Sequence, residues 1–77
     1  MDKPRVGDEV VGPSLSRVGR VVEVAGDLFL LAIPDGTRLW LSPDTIFTVD
    51  GGLITLICER GHVRDYQVRP PRDERSA

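Results

Sequence analysis

The chain contains little cysteine, little lysine and few aromatic residues. Its 77 residues include one cysteine, Cys58, which excludes an internal disulfide and gives no sign of an oxidising compartment. No apolar run approaches the roughly 18–20 residues that a membrane-spanning helix needs. Residues 1–5 are not followed by the apolar core of a signal peptide. We therefore expect a cytoplasmic protein with no membrane insertion.

The charge balance and the scarcity of aromatic rings both disfavour a dedicated nucleic-acid binder. The formal net charge is −2, whereas such proteins usually carry a basic face. Lys3 is the only lysine, so the remaining cations are arginines, which suit bidentate contacts with carboxylates or phosphates. Rings that could stack on bases are few, and most of them are expected in the core: Phe29, Trp40, Phe47 and Tyr66.

No grouping of residues indicates catalysis or metal binding. Cys58, His62 and Asp65 are close in sequence, but Cys58 falls in an apolar run, where cysteine usually behaves as a small buried hydrophobe. A structural zinc site usually needs four Cys or His ligands. Gly51-Gly52 is not followed by the Lys and Ser/Thr of a phosphate-binding loop, so we interpret it as a hairpin turn. We predict no catalytic residue, no metal, no cofactor and no small-molecule substrate.

Strand-like segments alternate with tight turns along most of the chain. Turn signals such as Gly26-Asp27, Pro34-Asp35-Gly36 and Asp50-Gly51-Gly52 separate these segments. Ser42-Pro43-Asp44 predicts a single helical turn, and residues 62–68 are ambiguous between a helical turn and an edge strand. The predicted strands cover residues 6–12, 18–24, 28–33, 38–41, 46–49 and 53–58.

This pattern predicts an all-β fold. A chain of this length makes one domain, because it has room for one small core. We expect a small antiparallel β-barrel of about five to six short strands over residues 1–68, with a short C-terminal turn or helix. Residues 69–77, rich in Pro and Arg, are expected to form a flexible tail.

Four motifs follow one another along the chain: Val6-Gly7-Asp8, Arg17-Val18-Gly19-Arg20-Val21, Leu39-Trp40-Leu41-Ser42-Pro43 and Asp50-Gly51-Gly52-Leu53. Their order resembles the PRC-barrel superfamily, named after the cytoplasmic domain of the photosynthetic reaction centre H subunit. The resemblance covers roughly residues 5–58 and implies a non-enzymatic barrel that docks onto larger assemblies or self-associates. Related barrels occur in a ribosome-maturation factor and in many small bacterial proteins.

Two predicted strands, residues 28–33 and 53–58, are apolar on both faces. Because strand side chains alternate between faces, only one face of each can fill the core. If Phe29 and Leu31 face inward, Leu28 and Leu30 face outward; in the second strand one of the sets Ile54/Leu56 or Leu53/Ile57 faces outward. Four such side chains would gain about 6–12 kcal/mol on burial. That is comparable with the whole stability of a small domain, about 5–15 kcal/mol.

This apolar excess predicts a protein-binding adaptor or assembly subunit, either a homo-oligomer or bound to a protein partner. Trp40 faces opposite to Leu39 and Leu41, and it lies either at the centre of an interface or beneath a terminal segment. The predicted interface residues are Leu28, Leu30, Trp40, Ile54 and Leu56.

The alternative hypothesis is a barrel that contacts RNA or the ribosome. It requires five arginines to converge on one face: Arg17, Arg20, Arg38, Arg60 and Arg64.

Overall fold

The structure, a computed structural model, describes residues 3–70, which form six short strands and two 3₁₀ helices. Residues 71–77, most of the predicted tail, lie outside the described part of the chain. The elements in chain order are β1 (Glu9–Val11), β2 (Arg17–Ala25), β3 (Leu28–Ala32), β4 (Arg38–Leu41), helix η1 (Pro43–Thr45), β5 (Ile46–Asp50), β6 (Leu53–Leu56) and helix η2 (Arg60–Tyr66).

All six strands belong to one sheet in the order β4-β3-β2-β1-β6-β5, curled into a half-barrel. The predicted small, mostly-β, barrel-like fold is confirmed. The pairing of β1 with β6 is parallel, whereas the other four pairings of the described strands are antiparallel. The sheet is therefore mixed, and β4 and β5 are its two edges.

Short local signals determine the connections. Gly51 and Gly52 both have positive φ, 57° and 90°, as the two-residue turn between Asp50 and its partner Leu53 requires. Pro43 begins η1, as predicted, because its fixed φ suits a first helical position. The ambiguous segment after Gly61 is helical rather than a strand.

The concave side of the half-barrel holds the core. Its buried side chains alternate along the strands: Phe29 and Leu31 on β3, Leu39 and Leu41 on β4, Ile54 and Leu56 on β6. Val63 of η2 also lies in this cluster and is fully buried. The segment after β6 therefore contributes to the core.

Ile54 and Leu56 were predicted as interface residues while the outward face of their strand was left open, and the structure buries both of them completely. Ile54 pairs with Val10 in the parallel ladder, and both side chains are fully buried. The pairing with β1 selects which of the two apolar sets enters the core. Leu53 and Ile57 belong to the opposite set and are exposed.

Leu30 was also predicted to lie at an interface, but only 9% of its surface is exposed. It faces away from the core, as expected, and lies opposite Trp40 in the register between β3 and β4. The backbone N–H of Val68 donates to the carbonyl oxygen of Trp40 at 2.8 Å, so the chain that follows η2 returns along edge strand β4. We attribute the burial of Leu30 to its indole neighbour and to this returning segment.

Candidate functional site

The predicted interface residues do not form one exposed surface. Ile54, Leu56 and Leu30 are buried, while Leu28 and Trp40 are half-buried. The large apolar side chains that are exposed lie elsewhere, and Phe47 and Leu15 are the most exposed of them, at 72% and 70%. The others are Val6, Val22, Val24, Leu53, Ile57 and Tyr66.

An apolar cleft of about 560 Å³ lies at the open side of the half-barrel. We call it the open-side cleft. Edge strand β5 forms one wall, and the end of β2 with the turn that follows it forms another. Ile46 and Val49 line the cleft and also pack against the core, so its floor is continuous with the hydrophobic interior. The lining residues are Lys3, Pro4, Val24, Gly26, Asp27, Pro43, Ile46, Phe47, Thr48 and Val49.

Phe47 is exposed because of an irregularity in β5. The register with β6 shifts between Ile46 and Thr48, which leaves Phe47 as the extra residue of a bulge. A bulge takes one residue out of the regular alternation and redirects its side chain. Most of the four aromatic side chains were expected in the core, and the exposure of Phe47 was not foreseen, because no local signal reveals a bulge that depends on pairing with another strand.

Two charged residues, Lys3 and Asp27, line the open-side cleft. All the other lining residues are apolar or uncharged, so the cleft offers one positive and one negative contact around an apolar surface. Such a surface suits an apolar segment with few charges of its own.

Leu15 occupies the loop between β1 and β2, which was not singled out from the sequence. Its φ of +67° is the only positive value at a non-glycine residue among those described. The backbone N–H of Ser14 donates to Glu59 Oε2 at 3.2 Å, which ties this loop to the segment before η2. The other oxygen of Glu59, Oε1, is buried without a hydrogen-bond partner.

The five arginines of the alternative hypothesis lie in two groups. Arg20 and Arg38 are the cross-strand neighbours of Ala32 on either side, and both are exposed. Arg17, also on β2, forms an ion pair with Glu9 at 3.4 Å. Arg60 and Arg64 line a separate cavity of about 460 Å³ beside the turn between β3 and β4.

Asp35 shares that cavity and partly neutralises it. Its Oδ1 accepts the backbone N–H of Thr37 at 2.8 Å, and its Oδ2 lies 3.9 Å from the guanidinium of Arg64. The hydrogen bonds from Thr37, followed by the charges of Arg64 and Arg60, lower the pKa of the Asp35 carboxyl. Arg64 also donates to Thr37 Oγ1 at 3.2 Å. An anion entering this cavity would therefore meet a resident carboxylate.

Cys58 is buried, whereas His62 and Asp65 are exposed. The Cys58 side chain lies in the core cluster, and burial, followed by the nearby charges of Asp65 and Glu59, raises the pKa of its thiol. A thiol with a raised pKa is a poor nucleophile at neutral pH. His62 and Asp65 are exposed, with 3.9 Å between Nδ1 and Oδ2.

We found no match to this chain among protein-family models, curated proteins or solved structures. The resemblance to the PRC-barrel superfamily therefore stays a prediction. No helix among residues 3–70 is long and apolar enough to cross a membrane.

Proposed function

We propose that this chain is a non-enzymatic protein-binding module whose open-side cleft holds an apolar segment of a protein partner. The exposure of Phe47 on a cleft that is continuous with the core is the observation that carries the proposal. The binding surface differs from the one expected from the sequence, because Ile54 and Leu56 enter the core and Leu30 is covered on the opposite face of the sheet.

The gain from covering Phe47 is large enough to matter for binding. Burial of a phenylalanine side chain contributes about 1.5–3 kcal/mol, and most of this side chain is still exposed. That energy corresponds to about a 10- to 150-fold change in affinity. Val24 and the partly covered Ile46 and Val49 would add contacts in the same cleft.

The edge position of β5 favours an extended segment. Among residues 3–70, β5 has β6 as its single sheet neighbour, so one side of its backbone faces the cleft without a strand partner. An added strand would pair with these peptide groups while its apolar side chains enter the cleft. Specificity would then come from side chains that alternate between cleft and solvent.

Selection from a displayed library of random 12-residue peptides on the immobilised protein tests this proposal. We expect enrichment of peptides with alternating apolar residues. Calorimetry then measures the dissociation constant of each enriched peptide. The Phe47→Asp variant should bind an enriched peptide about 10- to 150-fold more weakly. Circular dichroism and a thermal melt establish that the variant is folded.

The matched control is Tyr66→Asp, which removes another exposed aromatic side chain that does not line the cleft. It should leave peptide affinity within about two-fold of wild type, well under the tenfold change that about 1.4 kcal/mol of binding free energy produces. Enriched peptides that bind Phe47→Asp as tightly as wild type would rule out the cleft as the binding surface. Failure to enrich any peptide over the empty support would count against the function itself.

A second candidate function is contact with RNA, favoured by the exposed row of Arg20 and Arg38 on either side of Ala32. If this row binds phosphates, complexes with mixed RNA should weaken steeply with salt, by about 0.7–0.9 log units of affinity per log unit of salt for each neutralised phosphate. The double variant Arg20→Gln, Arg38→Gln should lower that slope. A gel shift without any salt-sensitive complex would eliminate this candidate.

A further inference from the structure

The chain that follows η2 lies along edge strand β4. Gln67 has an extended backbone, with φ of −61° and ψ of 135°, and the N–H of Val68 donates to the carbonyl oxygen of Trp40 at 2.8 Å. Within residues 3–70 this is the one backbone hydrogen bond between residues 67–70 and β4, so the segment is not a seventh strand. We call residues 67–70 the strap.

Arg64, three residues before the strap, attaches the end of η2 to the turn before β4. Its guanidinium donates to Thr37 Oγ1 at 3.2 Å and lies 3.9 Å from Asp35 Oδ2. That turn is itself well bonded, since Asp35 Oδ1 accepts the N–H of Thr37 and the carbonyl oxygen of Thr37 accepts the N–H of Ile33, both at 2.8 Å. The chain is therefore held at two points along this edge, Thr37 and Trp40.

The strap lies beside an apolar pair on the face of the sheet opposite the core. Trp40 directs its carbonyl oxygen toward the strap, so its pairing with Leu30 is of the non-hydrogen-bonded kind, in which the facing side chains approach most closely. Leu30 is buried and Trp40 is half-buried, although neither belongs to the core cluster. Without the strap, this pair would lie at an open strand edge.

The strap is attached more weakly than the helix before it. Val63 of η2 is fully buried in the core, whereas Val68 is half-buried and the other three strap residues are exposed. The side chains of Arg64 and Asp35 are also exposed, and an exposed ion pair contributes little. Local opening is easiest where buried contacts and backbone hydrogen bonds are few. The weak point therefore follows Tyr66, where η2 ends.

We propose that the strap is a releasable cover of edge β4, which opens without unfolding the sheet and then uncovers Trp40 and Leu30. The closed strap blocks the pairing of another strand at β4, so it is an autoinhibitory contact built into the fold. The inference goes beyond the proposed function, because the open-side cleft lies at β5, the other edge of the sheet.

Native-state hydrogen exchange followed by NMR tests whether the strap opens by itself. The reference is the N–H of Val21, which donates to the carbonyl oxygen of Asp8 at 2.9 Å in the middle of β2. The Val68 amide should exchange at least about tenfold more slowly than in an unstructured peptide, and at least about tenfold faster than the Val21 amide. Low concentrations of urea should accelerate exchange at Val21 and leave Val68 almost unchanged, because opening of the strap exposes little surface.

The Arg64→Gln variant tests the attachment at Thr37. It should accelerate exchange at Val68 about three- to tenfold and leave both Val21 exchange and the urea midpoint unchanged. Arg60→Gln is the matched control, because Arg60 also lies on η2 and lines the same cavity but makes no ion pair or side-chain hydrogen bond within residues 3–70. It should leave exchange at Val68 as in wild type.

Trp40 is the single tryptophan of the chain, so its fluorescence reports access to the covered face. Val68→Pro removes the donor N–H and should shift the acrylamide quenching constant of Trp40 from the wild-type value toward that of the urea-unfolded protein, at an unchanged urea midpoint. Arg69→Ala, an exposed position of the strap, keeps the hydrogen bond and should be quenched as wild type is.

Three results would overturn the inference. Equal protection and equal urea dependence at Val68 and Val21 would mean that the strap leaves only when the whole molecule unfolds. Exchange of Val68 at the rate of an unstructured peptide would mean that the strap is not closed in solution. Quenching of Trp40 in Val68→Pro equal to that of wild type would mean that the strap covers nothing. None of these results bears on peptide binding at the open-side cleft, which the displayed library tests separately.

Discussion

Replacement of Gly19 by alanine should destabilise the fold strongly, because the backbone of β3 passes directly over this glycine. Gly19 is buried in β2 and pairs with Val10 of β1. A Cβ atom at this position would overlap the carbonyl oxygen of Ala32 and would lie 3.0 Å from its carbonyl carbon. It would also lie 2.9 Å from Leu31 Cδ1. The Leu31 methyl group can rotate away, but the peptide group of Ala32 cannot.

The expected magnitude follows from what must move. Overpacking of a core position costs about 1–3 kcal/mol. Separation of β2 from β3 at the Arg20–Ala32 pair weakens one backbone hydrogen bond, which lowers the free energy of unfolding by about 0.5–1.5 kcal/mol. The unfolded chain has lower conformational entropy with alanine than with glycine, which offsets about 0.4–1 kcal/mol of this loss of stability. We therefore expect a net loss of about 2 kcal/mol, or roughly 8–16 °C in melting temperature for a domain of this size.

Urea denaturation followed by circular dichroism measures this loss in the free energy of unfolding. Gly61→Ala is the matched control, because an added Cβ there meets no atom within 4 Å and the residue is exposed. It should be neutral or slightly stabilising. If Gly19→Ala unfolds within about 0.5 kcal/mol of wild type, the close approach of β2 and β3 is not the constraint described above.

Three further predictions concern burial and titration. Ile54→Ala should lower the free energy of unfolding by about 2–5 kcal/mol, whereas Ile57→Ala, on the exposed face of the same segment, should lower it by less than about 1 kcal/mol. Equal effects of the two substitutions in urea denaturation would contradict the assignment of faces. The pKa of Asp35 is lowered in the folded state, so its contribution to the free energy of unfolding is present above the ordinary pKa of 3.8 and is lost as pH falls through the folded value. Asp35→Asn should remove this part of the acid sensitivity in unfolding curves recorded between neutral and acid pH. An acid profile unchanged by the substitution would exclude a stabilising role of this carboxylate. The pKa of the Cys58 thiol is raised in the folded state, so the free energy of unfolding should fall as pH rises above the ordinary thiol value of 9.0, and Cys58→Ala should flatten that fall. In the folded protein Cys58 should react with iodoacetamide much more slowly than in urea, and equal rates would refute its burial.

Much of the fold follows from local sequence signals. Gly-containing turns and β-branched runs determine where the strands begin and end, and a fixed φ at Pro43 starts the short helix after β4. These features need only a few neighbouring residues. They could therefore be predicted from the sequence with small errors at the ends of the strands.

The candidate site was harder to predict from the sequence, because its geometry depends on contacts between residues that are far apart in the chain. Both faces of β6 are apolar, and the parallel pairing of Ile54 with Val10 decides which face is buried. Phe47 turns outward at a bulge whose position depends on the register with β6. The loop that carries Leu15 is tied to Glu59, near the other end of the described chain.

The position of strand β1 determines when the sheet can be completed during synthesis. It lies between β2 and β6 in the sheet, yet it precedes both in the chain. β1 leaves the ribosome before β6, and its edge toward β6 stays open until Leu53 to Thr55 have been made. Synthesis of β6 therefore joins the meander β2-β3-β4 to the hairpin β5-β6, and a chain stalled before that point exposes a strand edge prone to aberrant pairing.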